Sequence, residues 1–229
     1  MLSVPRSSCI FSRTPEFDGV VPPALYPAQM PKKAARIVST RTVYKGPLFR
    51  VAIEEIIDPQ GNKGRRDIVH HGGSVVILPV ETSKKEPHVL LVRQFRHAAQ
   101  QYLWELPAGG LDGKEAPLVG AKRELLEETG YTSENWSKAL FFYVSPGFLD
   151  ESMTIYLAHG MTRGKAQPEE DEFITKRLFP LTQAAEMAVS GKILDAKTIA
   201  GILWLESQYR RGKLRALVSS GKRSATKSK

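Results

Sequence analysis

The residues best suited to chemistry lie in GGLDGKEAPLVGAKRELLEETGY, residues 109–131. Glu124, Glu127 and Glu128 stand there at i, i+3 and i+4, so on a helix they project together within one turn. Like charges at that spacing oppose the helix by a few tenths of a kcal/mol per pair. A solvated acidic face is the plain reading of such a cluster, and two features argue against it. Ala108, Gly109 and Gly110, with Asp112 and Gly113 behind them, form a loop whose backbone can approach a ligand closely. Crowded carboxylates also suit a hard divalent cation, and Mg2+ in particular shares its shell with substrate phosphates. Binding of that kind would relieve the repulsion and prepare a displacement at phosphorus. Arg123, four residues before Glu127, can pair with it on the same helix.

The elements that must position these groups are readable in outline. Pro117 suits a first helical position and Gly130 a C-terminal stop, with Leu118, Ala121 and Leu125 as the apolar stripe between them. Strands are predicted over residues 35–44, 48–57 and 65–71, with DPQGNKG as the turn between the last two. Three strands are too few to bury two faces, so they must pack on another chain or on the main domain. From about Gly72 the pattern continues with strands over 73–81, 87–96, 139–146, 152–160 and 172–180. Helices follow over 181–191 and 195–211, the second opened by Asp195 as an N-cap. Ile199, Ile202, Leu203, Trp204 and Leu205 mark that last helix as a core helix. The fold class is α/β in the broad sense, or α+β. Its expected organisation is an irregular leader (1–34), an N-terminal β segment (35–71), a main domain (72–212) and a basic disordered tail (213–229).

The net charge of +9 invites a nucleic-acid reading, but its distribution opposes one. Residues 1–50 carry +6 and residues 207–229 carry +8, while residues 51–206 carry −5. An acidic central domain is a poor nucleic-acid groove. The single cysteine, Cys9, excludes an internal disulfide framework and fits a reducing compartment. No apolar run reaches the roughly 20 residues of a membrane helix. The expected location is the cytoplasm, although the acid-free first fifteen residues also suit a short transit peptide. His70 and His71 have no matching Cys or His for zinc. No G-x-S-x-G elbow of a serine hydrolase is present.

Gly109, Glu115, Arg123, Glu124, Leu125, Glu127, Glu128 and Gly130 together resemble the Nudix box, G-x5-E-x7-R-E-U-x-E-E-x-G-U, with Tyr131 in place of the final aliphatic residue. The resemblance implies a mixed β-sheet sandwiched between helices and metal-dependent hydrolysis of a nucleoside diphosphate linked to another group. SPGFLDE (145–151), VRQFR (92–96), WELPAGG (104–110) and DAKTI (195–199) are similar to segments of the ADP-ribose pyrophosphatases within that family. The substrate so implied is ADP-ribose, hydrolysed to AMP and ribose 5-phosphate. Another nucleotide sugar, such as ADP-glucose or GDP-mannose, and a non-catalytic sensor are the alternatives. The likeness also implies that residues 35–71 are exchanged in a homodimer.

By the same likeness Glu124, Glu127, Glu128 and the Ala108 carbonyl are expected to bind Mg2+, with Mn2+ also possible. Glu115 would support the cluster and Arg123 would orient a glutamate. Glu151, on a loop able to swing over the metal, is the expected general base, with Glu127 and Glu128 as alternatives. Arg96, and with less support Arg93, would grip a substrate phosphate. Glu105 would hold a ribose or the loop. Phe49 and Arg50 are candidate adenine contacts donated by the partner chain, although a core role is the leading expectation for Phe49.

Overall fold

The computed structural model describes residues 34–113, 115–164 and 175–215. The expected leader therefore lies outside the described residues except at residue 34, as do residues 172–174 of one expected strand and the tail from residue 216.

Strands β1 (Arg36–Lys45), β2 (Phe49–Ile57) and β3 (Lys63–His71) form an antiparallel sheet of their own in the order β1-β2-β3. The main sheet follows two residues later. It comprises β4 (Ser74–Glu81), β5 (His88–Arg96), β6 (Gln101–Glu105), β7 (Ala108–Gly110), β9 (Asn135–Tyr143), β10 (Ser152–His159) and β12 (Thr175–Pro180). Its order is β12-β5-β4-β10-β9, with β6 on β5 and β7 on β4. β10 runs parallel to β4 and the other pairs are antiparallel, so the sheet is mixed. A two-stranded ladder joins β8 (Tyr131–Thr132) to β11 (Thr162–Arg163).

β4 reads SVVILPVE without polar alternation, as a strand covered on both faces must. Its odd and even residues enter different cores because successive side chains point to opposite faces. Val75 and Ile77 pack with Ala121 and Leu125 of α1 (Pro117–Thr129) and with Ala158. Val76, Leu78 and Val80 pack with residues of α2 (Leu181–Val189) and α3 (Ala196–Arg210), among them Ala184, Ile202 and Leu205. The sheet is thus sandwiched between α1 and the pair α2 and α3.

α1 begins at Pro117 and ends at Gly130, whose left-handed φ of 68° lets its N–H reach the Leu126 carbonyl. α3 is opened by Asp195, whose carboxylate accepts from the Thr198 N–H. The packed region reaches Leu214, 5% exposed within the main core, so the domain runs past the expected boundary at residue 212. Sequence reasoning missed β6, β7, β8 and β11 as separate strands. WELPAGG is divided between the end of β6, a Leu106 and Pro107 connection, and β7.

Candidate active site

The site is built where β7 meets α1. β7 pairs with β4 through Ser74 with Gly110, Val75 with Gly109 and Val76 with Ala108, which brings the glycine loop onto the helix. A Cβ at Gly109 would fall 1.9 Å from Glu124 Oε1, so only glycine leaves that carboxylate its place.

Arg123 is the hub. Its Nη1 donates to Glu124 Oε1 at 2.7 Å and to Glu127 Oε2 at 2.9 Å. Nη2 donates to the Gly110 carbonyl and to Glu115 Oε2, each at 3.1 Å, and Nε donates to Glu115 Oε1 at 3.3 Å. One guanidinium therefore holds three carboxylates and the loop backbone, and its protons are bound more firmly than in a free arginine, chiefly by Glu115. The same hydrogen bonds from Arg123 hold the Glu115 carboxyl below its ordinary range. Burial drives Glu124 the other way, upward, in spite of Arg123. Glu128 accepts from the Ala108 N–H at 3.2 Å, which ties the helix to the residue whose carbonyl is the expected backbone ligand.

The expected ligands Glu124, Glu127, Glu128 and the Ala108 carbonyl all offer oxygen, the donor type hard divalent cations take. Among the described residues no three acidic or imidazole side chains yet converge on one point as a finished metal cage. Glu124 and Glu127 are turned onto Arg123, and Glu128 onto the Ala108 N–H. The set still fits a cation by type, because Glu124 is charged at a cost where it is buried, and the glycine cradle at Gly109 leaves room around it.

A second charged cluster stands beside the first. Glu105, 1% exposed, accepts from Arg96 Nε at 2.9 Å and Nη2 at 2.7 Å, and from Lys197 Nζ at 2.6 Å. Burial works to raise the Glu105 carboxyl, but Arg96 and Lys197 outweigh it and the group ends below its ordinary value. Arg96 is held protonated foremost by its bonds to Glu105, with smaller help from the charge of Glu128, which reaches it from α1. Lys197 was not singled out from the sequence; its signal was the chain position two residues after Asp195, with which it also pairs at 2.9 Å. Arg93 is turned elsewhere, over the rings of Tyr102 and Trp104.

The 145–151 loop is less free than the expected swinging loop. Val69 N–H donates to the Phe148 carbonyl at 2.8 Å and Asp150 N–H donates back to Val69 at 3.1 Å, fastening the loop to β3. Glu151 accepts from Ser74 Oγ at 2.8 Å. Beside it, Phe49, Arg50, His70, His71 and Asp150 line a cleft of about 410 Å3 with the 45–48 turn. Phe49 is 39% exposed and tilted against Tyr44 at 5.5 Å, which corrects the expected core role: in this chain its ring lies at the surface.

Residues 70–199, more than half of the chain, match the NUDIX domain. The chain belongs to the Nudix hydrolase family. This Nudix protein is 34% identical over 173 residues to the ADP-ribose pyrophosphatase of Bacillus subtilis (strain 168), covering 75% of this chain and 92% of that one. It is 35% identical over 170 residues to the ADP-ribose pyrophosphatase of Mycobacterium tuberculosis, covering 72% and 80%. Among solved structures, one described as an ADP compounds hydrolase superposes with a TM-score of 0.68 over 79% of this chain and 97% of that one. At 18% identity that likeness speaks for the fold. The Nudix fold expected from the box is therefore the fold observed.

Proposed function

We propose that the protein hydrolyses the pyrophosphate of ADP-ribose to AMP and ribose 5-phosphate, using a divalent cation. The observation that carries this reading is the Arg123 hub, which gathers Glu115, Glu124 and Glu127 against the Gly110 carbonyl. Identity to the Bacillus subtilis enzyme over nearly its whole length supports the choice of ADP-ribose.

Glu124, Glu127, Glu128 and the Ala108 carbonyl would hold Mg2+, or Mn2+ in its place. When bound, the ion supplies positive charge to the pyrophosphate oxygens. The protein's own groups do the rest. Arg123 orients Glu115, Glu124 and Glu127 through its hydrogen bonds. Arg96 donates to Glu105 through Nε and Nη2, which leaves Nη1 to meet a substrate phosphate in a preset direction. Glu105 acts on the substrate through Arg96 rather than by touching the ribose. Glu151 takes the proton of the attacking water as the new bond to phosphorus forms and the bridging P–O bond breaks. Phe49 and Arg50 offer an apolar ring and a cation to the adenosine half at the mouth of their cleft.

β1 is exposed along its whole length, with Ile37, Val38, Val43 and Tyr44 among the uncovered residues. A second copy of the chain covering this sheet would remove that apolar area from water, and the protein is accordingly read as a homodimer.

The deciding assay offers ADP-ribose, ADP-glucose, GDP-mannose, NADH and diadenosine polyphosphates with Mg2+, and identifies products by mass. Preference for ADP-ribose with AMP and ribose 5-phosphate as products is expected. Preference for another nucleotide sugar would keep the chemistry and change the substrate. Absence of turnover on all of them would favour a sensor.

A further inference from the structure

Nothing in the Nudix box sets where Glu151 stands relative to the carboxylates of α1, since it lies 20 residues beyond the box on a separate loop. The structure supplies the connection. We propose that Ser74 is the positioning residue for Glu151, with His71 walling the carboxylate and His70 fixing the loop through Asp150. The proposal rests on the reading of Glu151 as proton acceptor.

Ser74 faces both halves of the site. Its backbone lies opposite Gly110 in the β4 and β7 pairing, and the Gly110 carbonyl receives Arg123 Nη2 at 3.1 Å. Its hydroxyl donates to Glu151 Oε1 at 2.8 Å. A continuous path therefore runs from Arg123 through Gly110 and Ser74 to Glu151. The separation between Glu151 and the box carboxylates is set by strand register, which is stiffer than a surface loop.

His71 closes the other side of Oε1. Its Nδ1 accepts from the Gly73 N–H at 3.1 Å and lies 3.7 Å from Glu151 Oε1. With that lone pair engaged by Gly73, the ring is oriented but donates nothing to the carboxylate, and Ser74 is the donor that selects its rotamer. Ser74 and His71 both face Oε1, which leaves Oε2 to take the proton from water. His70, the preceding strand residue, points to the opposite face. Its Nδ1 lies 2.6 Å from Asp150 Oδ2, while Asp150 Oδ1 accepts from the His71 N–H at 2.8 Å. Both oxygens of Asp150 are thus taken up by β3. The Glu151 carbonyl accepts from Val144 N–H at 3.0 Å, so the backbone bearing the acceptor is fixed on both sides.

Loss of a hydroxyl that only orients a reacting group lowers kcat while leaving substrate affinity alone. Ser74→Ala is expected to reduce kcat roughly 10- to 100-fold, with KM changed less than about twofold and the melting temperature retained. Ser74→Thr, which keeps the hydroxyl on a residue suited to a strand, should restore most of the rate. In a Glu151→Gln background Ser74→Ala should add no further loss, because the group it orients no longer accepts a proton. Turnover retained by Glu151→Gln would overturn the assignment of Glu151 and this proposal with it. A large loss in Glu151→Gln with wild-type kcat in Ser74→Ala would overturn the proposal alone. So would a Ser74→Ala loss that persists undiminished in the Glu151→Gln background.

Discussion

At the scale of single residues, the site is governed by how two buried or half-buried carboxylates are kept charged. Glu124 has its carboxyl pushed up by burial, and its nearest relief is one nitrogen of Arg123 that it shares with Glu127. Gly109 is what allows it to stand there at all. In Gly109→Ala the three atoms nearest the new Cβ all belong to the Glu124 carboxylate, the far end of a flexible side chain, so the carboxylate is the group that gives way. Turnover should fall by roughly 100-fold, while the melting temperature stays within about 2 °C; kinetics and calorimetry on one preparation check both. Glu105 is the opposite case, a buried carboxyl held below its ordinary value by Arg96 and Lys197 against its own burial. A group depressed in this way stabilises the fold above the carboxyl's unfolded value of about 4.3. That contribution is lost as pH falls through the lower folded value. Lys197→Met should therefore cost about 3 kcal/mol at pH 7, since it removes a buried partner. Glu105→Gln should flatten the acid side of the stability profile. Denaturation at pH 7 and pH 4 tests both.

At the scale of elements, α3 does more than fill the core. Its cap, Asp195, accepts from Thr198 N–H at 3.0 Å and pairs with Lys197, and Thr198 Oγ1 accepts from the Leu106 N–H at 2.7 Å. The N-terminus of the helix is thereby bolted to the short connection that follows Glu105. Gly201 lets α3 approach closely, because a Cβ there would lie 2.7 Å from Leu106 Cδ1. Gly201→Ala should overpack this contact and cost about 1–3 kcal/mol, read as a lower melting temperature. α1, α2 and α3 were legible in the sequence because Pro117, Gly130, Gly191 and Asp195 punctuate them and their apolar residues recur at helical spacing. The short strands β6, β7, β8 and β11 were not, because two to five residues are too few to show a period, and their pairing partners lie far away in sequence.

For the whole molecule, the exposed sheet β1-β2-β3 is where the homodimer reading is tested. A chain that buries it against a second copy should sediment at twice the monomer mass, and Val38→Lys with Tyr44→Lys should shift it towards the monomer by placing charge on exposed β1 positions. The C-terminal end makes a sharper prediction. Removing residues 216–229 should leave turnover unchanged. Removing residues 213–229 should destabilise the fold by about 2–5 kcal/mol, since Leu214 is part of the core. Turnover with stability measured on the two truncations separates the ends.

The sequence by itself determined the box, its glycine loop, the acidic face of α1 and the interleaving of strands with helices, while the sandwich was what the family resemblance implied. Those properties are local in the chain: a spacing of three or four residues, a cap, a run of apolar residues. The tertiary structure alone decided that Arg123 gathers Glu115 as well as Glu127, and that Lys197 joins Arg96 on Glu105. It also decided that Ser74 stands between Gly110 and Glu151. Each of these contacts joins residues from eight to more than ninety positions apart, and they meet because strand register and helix packing place them together. No periodicity along the chain carries that information.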